Sequence, residues 1–337
     1  MADTTVEDCK VTDVDECQCQ DHCSSARAVP HLSFGPPHTA PSSPPASPSP
    51  RKAYPKFSAS LNTYFPGAQR ESLFWDCCVE ALETHGFKDD NTIACIGVCR
   101  DEICGTLMDE VKKRFGDLFI FRGLAGFIFC GKTGLKAAHA HSPICNETGR
   151  EKYLYVVAAH IGVSADGTLG RVDRRGRGGE ASYACGALAY FHSMLVKGQV
   201  DTRLAMDDIE MSVMSQLLIH NIKWGTVPDM AELTKLASRV IVQSQLEEII
   251  RETVDTRKAD YAIIAGVQIH GPGFQQNYFY PMDDLCYGMV EGKRVTLDVG
   301  ESRPRRSASF VKRQSSHIRP ELENYIPSAG PCAAFTD

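Results

Sequence analysis

No uninterrupted apolar run in these 337 residues approaches the ~20 residues that a membrane-spanning helix needs. The nearest, Phe119–Cys130, is short and broken by Arg122. The chain opens Met-Ala-Asp-Thr-Thr-Val-Glu-Asp, without the basic and apolar regions of a secretory signal and too acidic for a transit peptide. No internal repeat runs through it. No G-x-G-x-x-G stands between an expected strand and an expected helix, which argues against dinucleotide binding. An excess of basic charge is missing too: the formal net charge is −6, and the part expected to fold gives no electrostatic argument for nucleic acid as a partner. The fourteen cysteines therefore do not read as a secreted disulfide scaffold. They are expected to be free or metal-bound thiols of a soluble protein in a reducing compartment.

What is present is unevenly spread. Residues 1–23 carry seven acidic side chains (Asp3, Glu7, Asp8, Asp13, Asp15, Glu16, Asp21) against Lys10, a local −6 that equals the formal charge of the whole chain. Residues 29–55 hold nine of the eighteen prolines, mixed with Ser and Ala, a composition that makes a solvated spacer rather than a packed core. Residues 301–319 reverse the sign, with six bases against Glu301. The expected organisation is an acidic arm and linker over 1–57, one domain over 58–300, and a basic flexible tail over 301–337. Cys17, Cys19, His22 and Cys23 could grip a metal, but on an isolated arm the plainer reading is no specific role. Arg303–Ser309 (RPRRSAS) matches a phosphorylation site, with a solvated basic tail as the plainer reading.

Between the tails, helical and strand patterns alternate. Arg70–His85 has helical periodicity and stops at Gly86; Glu102–Phe115, Ala184–Val196, Asp207–Lys223 and Asp229–Val254 also read as helices. Thr92–Val98, Asp117–Phe121, Tyr153–Ala159 and Asp260–Ile269 are apolar runs suited to buried strands. Strands separated by helices predict an α/β fold, a parallel-core sheet flanked by helices.

Gly126–Thr133 (GFIFCGKT) satisfies the P-loop pattern G-x-x-x-x-G-K-[ST]. Its intervening Phe, Ile, Phe and Cys suit a strand or buried turn better than a phosphate cradle, and no later apolar strand ends in the acidic residue a magnesium site needs. A second set is distributed. Cys99 directly follows the strand TIACIGV, with Asp101 two residues on; His160 directly follows YLYVVAA; Cys185 sits just before the helix that begins Gly186-Ala187-Leu188. In an open α/β sheet the carboxyl ends of the strands share one crevice, and a helix N-terminus favours thiolate, the form that ligates metal. Two cysteines and a histidine with one open position make a known catalytic zinc arrangement. Placement alone leaves the other reading open, in which each cysteine is a small buried apolar residue.

The segments CRDEI (Cys99–Ile103), GKTG (Gly131–Gly134), AAHIGVSADGTLG (Ala158–Gly170) and SYACGAL (Ser182–Leu188) together resemble the limiting-CO2-inducible protein B/C family of algae, whose members look like distant β-type carbonic anhydrases. The resemblance covers roughly residues 58–290. It implies a β-carbonic-anhydrase-like fold with a zinc ion (Zn2+) held by Cys99, His160 and Cys185, and reversible hydration of carbon dioxide to bicarbonate in inorganic-carbon handling. It implies a homodimer, or a hetero-oligomer with a paralogue, and the chloroplast stroma; the acidic N-terminus points instead to the cytoplasm. The β class follows its first cysteine with C-x-D-x-R. Asp101 fits that pattern as the catalytic carboxylate, but residue 103 is Ile, leaving the adjacent Arg100 as substitute although neighbours on an extended chain point to opposite sides. That departure sustains an alternative, a catalytically silent zinc-binding subunit of an oligomeric complex.

Other residues carry weaker signals. His139 and His141 form an H-x-H without an obvious third ligand, and a loop or supporting role is the plainer reading. Arg171, Arg174, Arg175 and Arg177 lie in a Gly-rich loop before Cys185, lining its entrance or simply solvated. Cys77 and Cys78 are expected on an amphipathic helix and Cys95 in the core; Cys104 is placed close to the proposed site, as a redox-sensitive thiol or as packing.

Overall fold

A strand that is apolar without alternation must be covered on both faces, and two such strands form the centre of this protein. The structure, a computed structural model, describes residues 54–174, 181–273 and 277–299; the acidic arm, most of the proline-rich linker, the basic tail and residues 175–180 of the Gly-rich loop lie outside the described residues. In chain order the elements are α1 (Pro55–Tyr64), β1 (Gln69–Arg70), α2 (Glu71–Thr84), β2 (Ile93–Val98), α3 (Gly105–Phe115), β3 (Leu118–Ile120), α4 (Gly131–His139), β4 (Glu151–Gly162), β5 (Arg171–Asp173), β6 (Ala181–Tyr183) and α5 (Gly186–Val196). They continue with α6 (Ile209–Asn221), α7 (Met230–Val240), α8 (Glu247–Thr253), β7 (Ala259–His270), β8 (Asn277–Pro281), β9 (Tyr287–Val290) and β10 (Lys293–Thr296).

β4 is buried from Lys152 to Gly162 and β7 along its whole length. They pair in parallel over twelve residues, from Glu151↔Ala259 to Gly162↔His270. β2 pairs in parallel with β4 on one side and β3 on the other. β7 then pairs antiparallel with β8 and with β9, which makes the sheet mixed, in the order β1-β8-β7-β4-β2-β3, with β9 and β10 continuing from β7. The expected parallel core is present; the antiparallel extension adds to it, built from strands too short to leave a clear pattern in the sequence.

Local sequence explains most boundaries. α2 ends where Gly86 adopts a φ of +81°, a left-handed conformation that suits glycine. The single helix expected over Asp229–Val254 is three pieces. Asp229 caps α7 by accepting from the Ala231 and Glu232 amides at 2.8 and 2.9 Å. A π-helical turn over Ile241–Leu246 separates α7 from α8; in it Gln245 accepts from the Ile128 amide at 2.9 Å and donates to the Ile128 carbonyl at 3.1 Å.

One segment differs from expectation. Pro55–Tyr64, which falls partly in the expected linker, is helical because Phe57 and Leu61, with Phe65 beyond, pack against Ile161, Val267 and Ile269. In the P-loop-like pattern the intervening Phe127–Cys130 stretch takes the second of its two expected forms, a buried turn and not a strand, and the GKT after it opens α4. Gly126 at the start of the pattern has φ +91°, and a Cβ there would lie 2.7 Å from the Ala158 carbonyl oxygen. Lys132 is ion-paired with Glu252 of α8.

Candidate metal centre

Three chain segments meet at the carboxyl ends of β2 and β4. Cys99 leaves β2 through a parallel bridge to Gly123. The turn behind it is pinned by Arg122, whose Nε donates to the Cys99 carbonyl at 2.9 Å and whose Nη2 donates to the Asp101 carbonyl at 2.6 Å. His160 stands near the end of β4, and Cys185 is the extended residue that precedes the first turn of α5. The Sγ atoms of Cys99 and Cys185 and a ring nitrogen of His160 lie within 4.8 Å of one another. The three residues are 5%, 3% and 1% exposed, in the order Cys99, Cys185, His160.

The protonation pattern is that of donors pressed together. The Cys185 thiol donates to the Cys99 sulfur, and chiefly for this reason Cys99 is held well below the usual thiol range while Cys185 is pushed well above it. Only one of the two gives up its proton easily. His160 Nε2 is buried without a hydrogen-bond partner, and leaving such an atom unmet costs on the order of 1–3 kcal/mol. A divalent ion accepting soft sulfur and imidazole donors would meet it and allow both thiols to ionise. The residues therefore fit a metal ion.

The flanking carboxylate has a partner from a distant part of the chain. Arg174, directly after β5, grips Asp101 with two N–H groups, Nη2 to Oδ2 at 2.6 Å and Nη1 to Oδ1 at 3.2 Å. Its Nε donates to Ser182 Oγ at 2.8 Å, and it also bonds Glu102. The sheet pairing of β5 with β6 carries this arginine to the strand end. Arg100, the substitute expected for the missing arginine, instead forms an ion pair with Glu210 of α6 and is half exposed. Adjacent side chains on extended backbone diverge, so Arg100 and Asp101 do not pair. At position 103 it is the Ile103 backbone amide that meets Asp101 Oδ1, at 3.3 Å.

A sequence model of the limiting CO2-inducible proteins B/C beta carbonic anhydrases matches residues 71–287. The chain belongs to this family. Among solved structures, that of the limiting CO2-inducible protein LCIB is 28% identical, with a TM-score of 0.60 over 74% of this chain and 100% of that one. The structure of PtLCIB4, a homolog of LCIB, shares the fold at 22% identity, with a TM-score of 0.60 over 72% of this chain and 99% of that one. A histidine-to-alanine mutant of PtLCIB4 gives 23% identity and 0.61, over 72% and 98%. A search of the curated proteins gave no match. The fold is accordingly the α/β fold of LCIB structures, and the carbonic-anhydrase-like domain ties the chain to a CO2-related role.

In this member of the family the weaker sequence candidates go elsewhere. His139 is buried on α4, stacked on Tyr153 with ring centroids 4.1 Å apart and its Nε2 2.6 Å from the Tyr155 hydroxyl; burial pulls its pKa down to about 4. His141 is exposed, with its ring against Phe119. Cys95 is core, Cys78 is buried on α2 and Cys77 is half-buried. Cys104 is fully buried, and its sulfur, a His160 ring nitrogen and a His270 ring nitrogen again lie within 4.8 Å of one another. His270 has no place among the sequence candidates, because the apolar run that marks its strand stops at Ile269, one residue short of it.

Proposed function

We propose that this chain is a zinc-dependent carbonic anhydrase that interconverts carbon dioxide and bicarbonate in inorganic-carbon handling. The observation that carries the reading is the buried Cys99–His160–Cys185 cluster, with its unpartnered His160 Nε2, beside an Asp101 carboxylate held by Arg174. Two cysteines and one histidine leave a fourth position open, as in catalytic zinc sites. Held by these three residues, zinc would act as a Lewis acid and lower the pKa of a water molecule from ~16 towards ~7. Cys99 and Cys185, as thiolates, would cancel the ion's formal charge, so the acidity gained is smaller than with neutral ligands and activity favours alkaline pH.

The remaining work falls to Asp101. An ionised carboxylate is an acceptor only, with about four lone-pair sites for hydrogen bonds. Arg174 and the Ile103 amide occupy part of that capacity and fix the plane of the group. The free lone pairs would accept a hydrogen bond from the attacking oxygen, which turns that oxygen's own lone pair towards carbon dioxide. The silent-subunit alternative drew on Ile103; the Arg174–Asp101 pair supports the active reading instead, since it supplies a guanidinium from the segment directly after β5.

The test is metal analysis of purified protein together with stopped-flow carbon dioxide hydration at alkaline pH. One zinc per chain and a rate well above buffer are expected. Zinc-loaded protein with no rate above buffer would refute the enzymatic reading.

A further inference from the structure

From His160 Nδ1 runs a buried line of polar side chains that the reaction does not touch. His160 Nδ1 lies 3.1 Å from His270 Nε2, and His270 Nδ1 lies 2.9 Å from Asn277 Oδ1. Asn277 Nδ2 donates to Thr106 Oγ1 at 3.1 Å, and Gln268 Nε2 donates to the same oxygen at 3.1 Å and to Glu71 Oε1 at 2.6 Å. The Thr106 hydroxyl is in turn hydrogen-bonded to the Glu71 carboxyl group. The sheet builds this line. Gln268 and His270 are two apart on β7 and share a face; Gln268 is the register partner of His160, and His270 that of Asn277.

The direction of each bond follows from the one before it. Thr106 Oγ1 accepts from both Gln268 and Asn277, so its own proton is turned to the Glu71 carboxyl group. Gln268 places its N–H groups on Glu71 and Thr106, while its own Oε1 is buried without a partner. Asn277 must then turn Nδ2 to Thr106 and Oδ1 to His270. An acceptor at His270 Nδ1 requires the proton there, which leaves His270 Nε2 as a bare acceptor. His160 must therefore carry its proton on Nδ1.

We propose that His270 and Asn277 are positioning residues that lock His160 in the tautomer with its proton on Nδ1, leaving the unpartnered Nε2 free for a metal. The inference rests on the reading of that cluster as a metal centre. Histidine ligands depend on a partner of this kind at the second ring nitrogen, and losing it costs about 10–100-fold in metal affinity.

The experiment measures the zinc dissociation constant of the full chain by chelator competition at fixed pH, not its hydration rate. Asn277→Leu removes the acceptor and is expected to weaken zinc binding about 10–100-fold. Asn277→Asp keeps an oxygen facing His270 and should stay within a few-fold of the unaltered protein. Equal losses in both variants, or no loss in either, would overturn the proposal. Should Asn277→Leu fail to fold, the ring 15N shifts of His270 in the unaltered protein decide: a proton on Nδ1 supports the lock, and a proton on Nε2 refutes it. Zinc bound normally with no hydration would sink the enzymatic reading and leave this inference standing. A protein that takes up no zinc sinks the metal reading, while the His270 tautomer still reports on the line.

Discussion

β4 and β7 bury ionisable groups at both of their ends, and the two ends differ in what they leave unpaired. At the start of the strands, Asp260 receives Arg150 at 2.6 Å and Lys152 at 3.1 Å, and also accepts from the Glu291 amide at 2.8 Å. Both of its carboxylate oxygens are engaged. At the far end, His160, Cys99 and Cys185 are equally buried, yet His160 Nε2 has no partner and two thiols share one easily lost proton. A closed set of buried charges stabilises one arrangement of the chain. An open set of donors lowers its own stability and waits for a ligand. The same pair of strands thus holds a closed cluster of charges and an open set of metal-type donors, told apart by their hydrogen bonding.

The sharpest way to break that contrast is to remove a donor from the open end. Cys185→Ser is expected to abolish stoichiometric zinc and hydration together; metal analysis after desalting checks it, and retained zinc would refute the ligand set. Next in size, Arg174→Ala should leave zinc in place but lower the hydration rate by about 10²-fold, the scale on which a positioned proton acceptor contributes. A matching loss of zinc would mean that Arg174 supports the metal cluster instead of Asp101. At the closed end, Asp260→Ala strands the buried Lys152 ammonium and should cost about 3–5 kcal/mol of stability with zinc stoichiometry unchanged, read by urea unfolding and metal analysis on the same sample.

Legibility followed the range of each signal. β2, β4, β7 and α5 were readable because continuous apolar runs and helical spacing are local properties, and so the strand-end positions of Cys99 and His160 and the helix-start position of Cys185 could be placed. Arg174 could not be assigned: it meets Asp101 from 73 residues away, through a pairing of two three-residue strands that leaves no periodic trace. His270 and Asn277 face each other across an antiparallel pair in which β8 is only five residues long. α1 hid in proline-rich surroundings, although Phe57, Leu61 and Phe65 keep a spacing of four that is the mark of one helical face.

The open end also has a pH signature that the closed end lacks. Cys185 holds its proton well above the ordinary thiol range, chiefly because it donates to Cys99. A metal ion must displace that proton, so binding releases it. Affinity should therefore fall as pH falls, by about tenfold per unit for each proton released. Competition titrations between about pH 6 and 9 read the slope, and a flat profile would show that both thiols are already ionised without metal.

The smallest expected effect concerns Glu71, at the far end of the line behind His160. Burial pushes its carboxyl from 4.5 up to about 7. A carboxyl raised on folding binds its proton more tightly in the folded chain, so its contribution to stability is fully present below the unfolded pKa and is lost as pH rises through about 7. Unfolding free energy should thus decline between about pH 5 and 8 by about 1–3 kcal/mol on account of this one group. Glu71→Gln, which keeps the shape and removes the charge, should flatten that decline. If the variant follows the same pH curve as the unaltered protein, Glu71 is not the group that titrates. The cost of ionising it is then borne elsewhere, and the line to His160 ends in a carboxylate that is already charged at neutral pH.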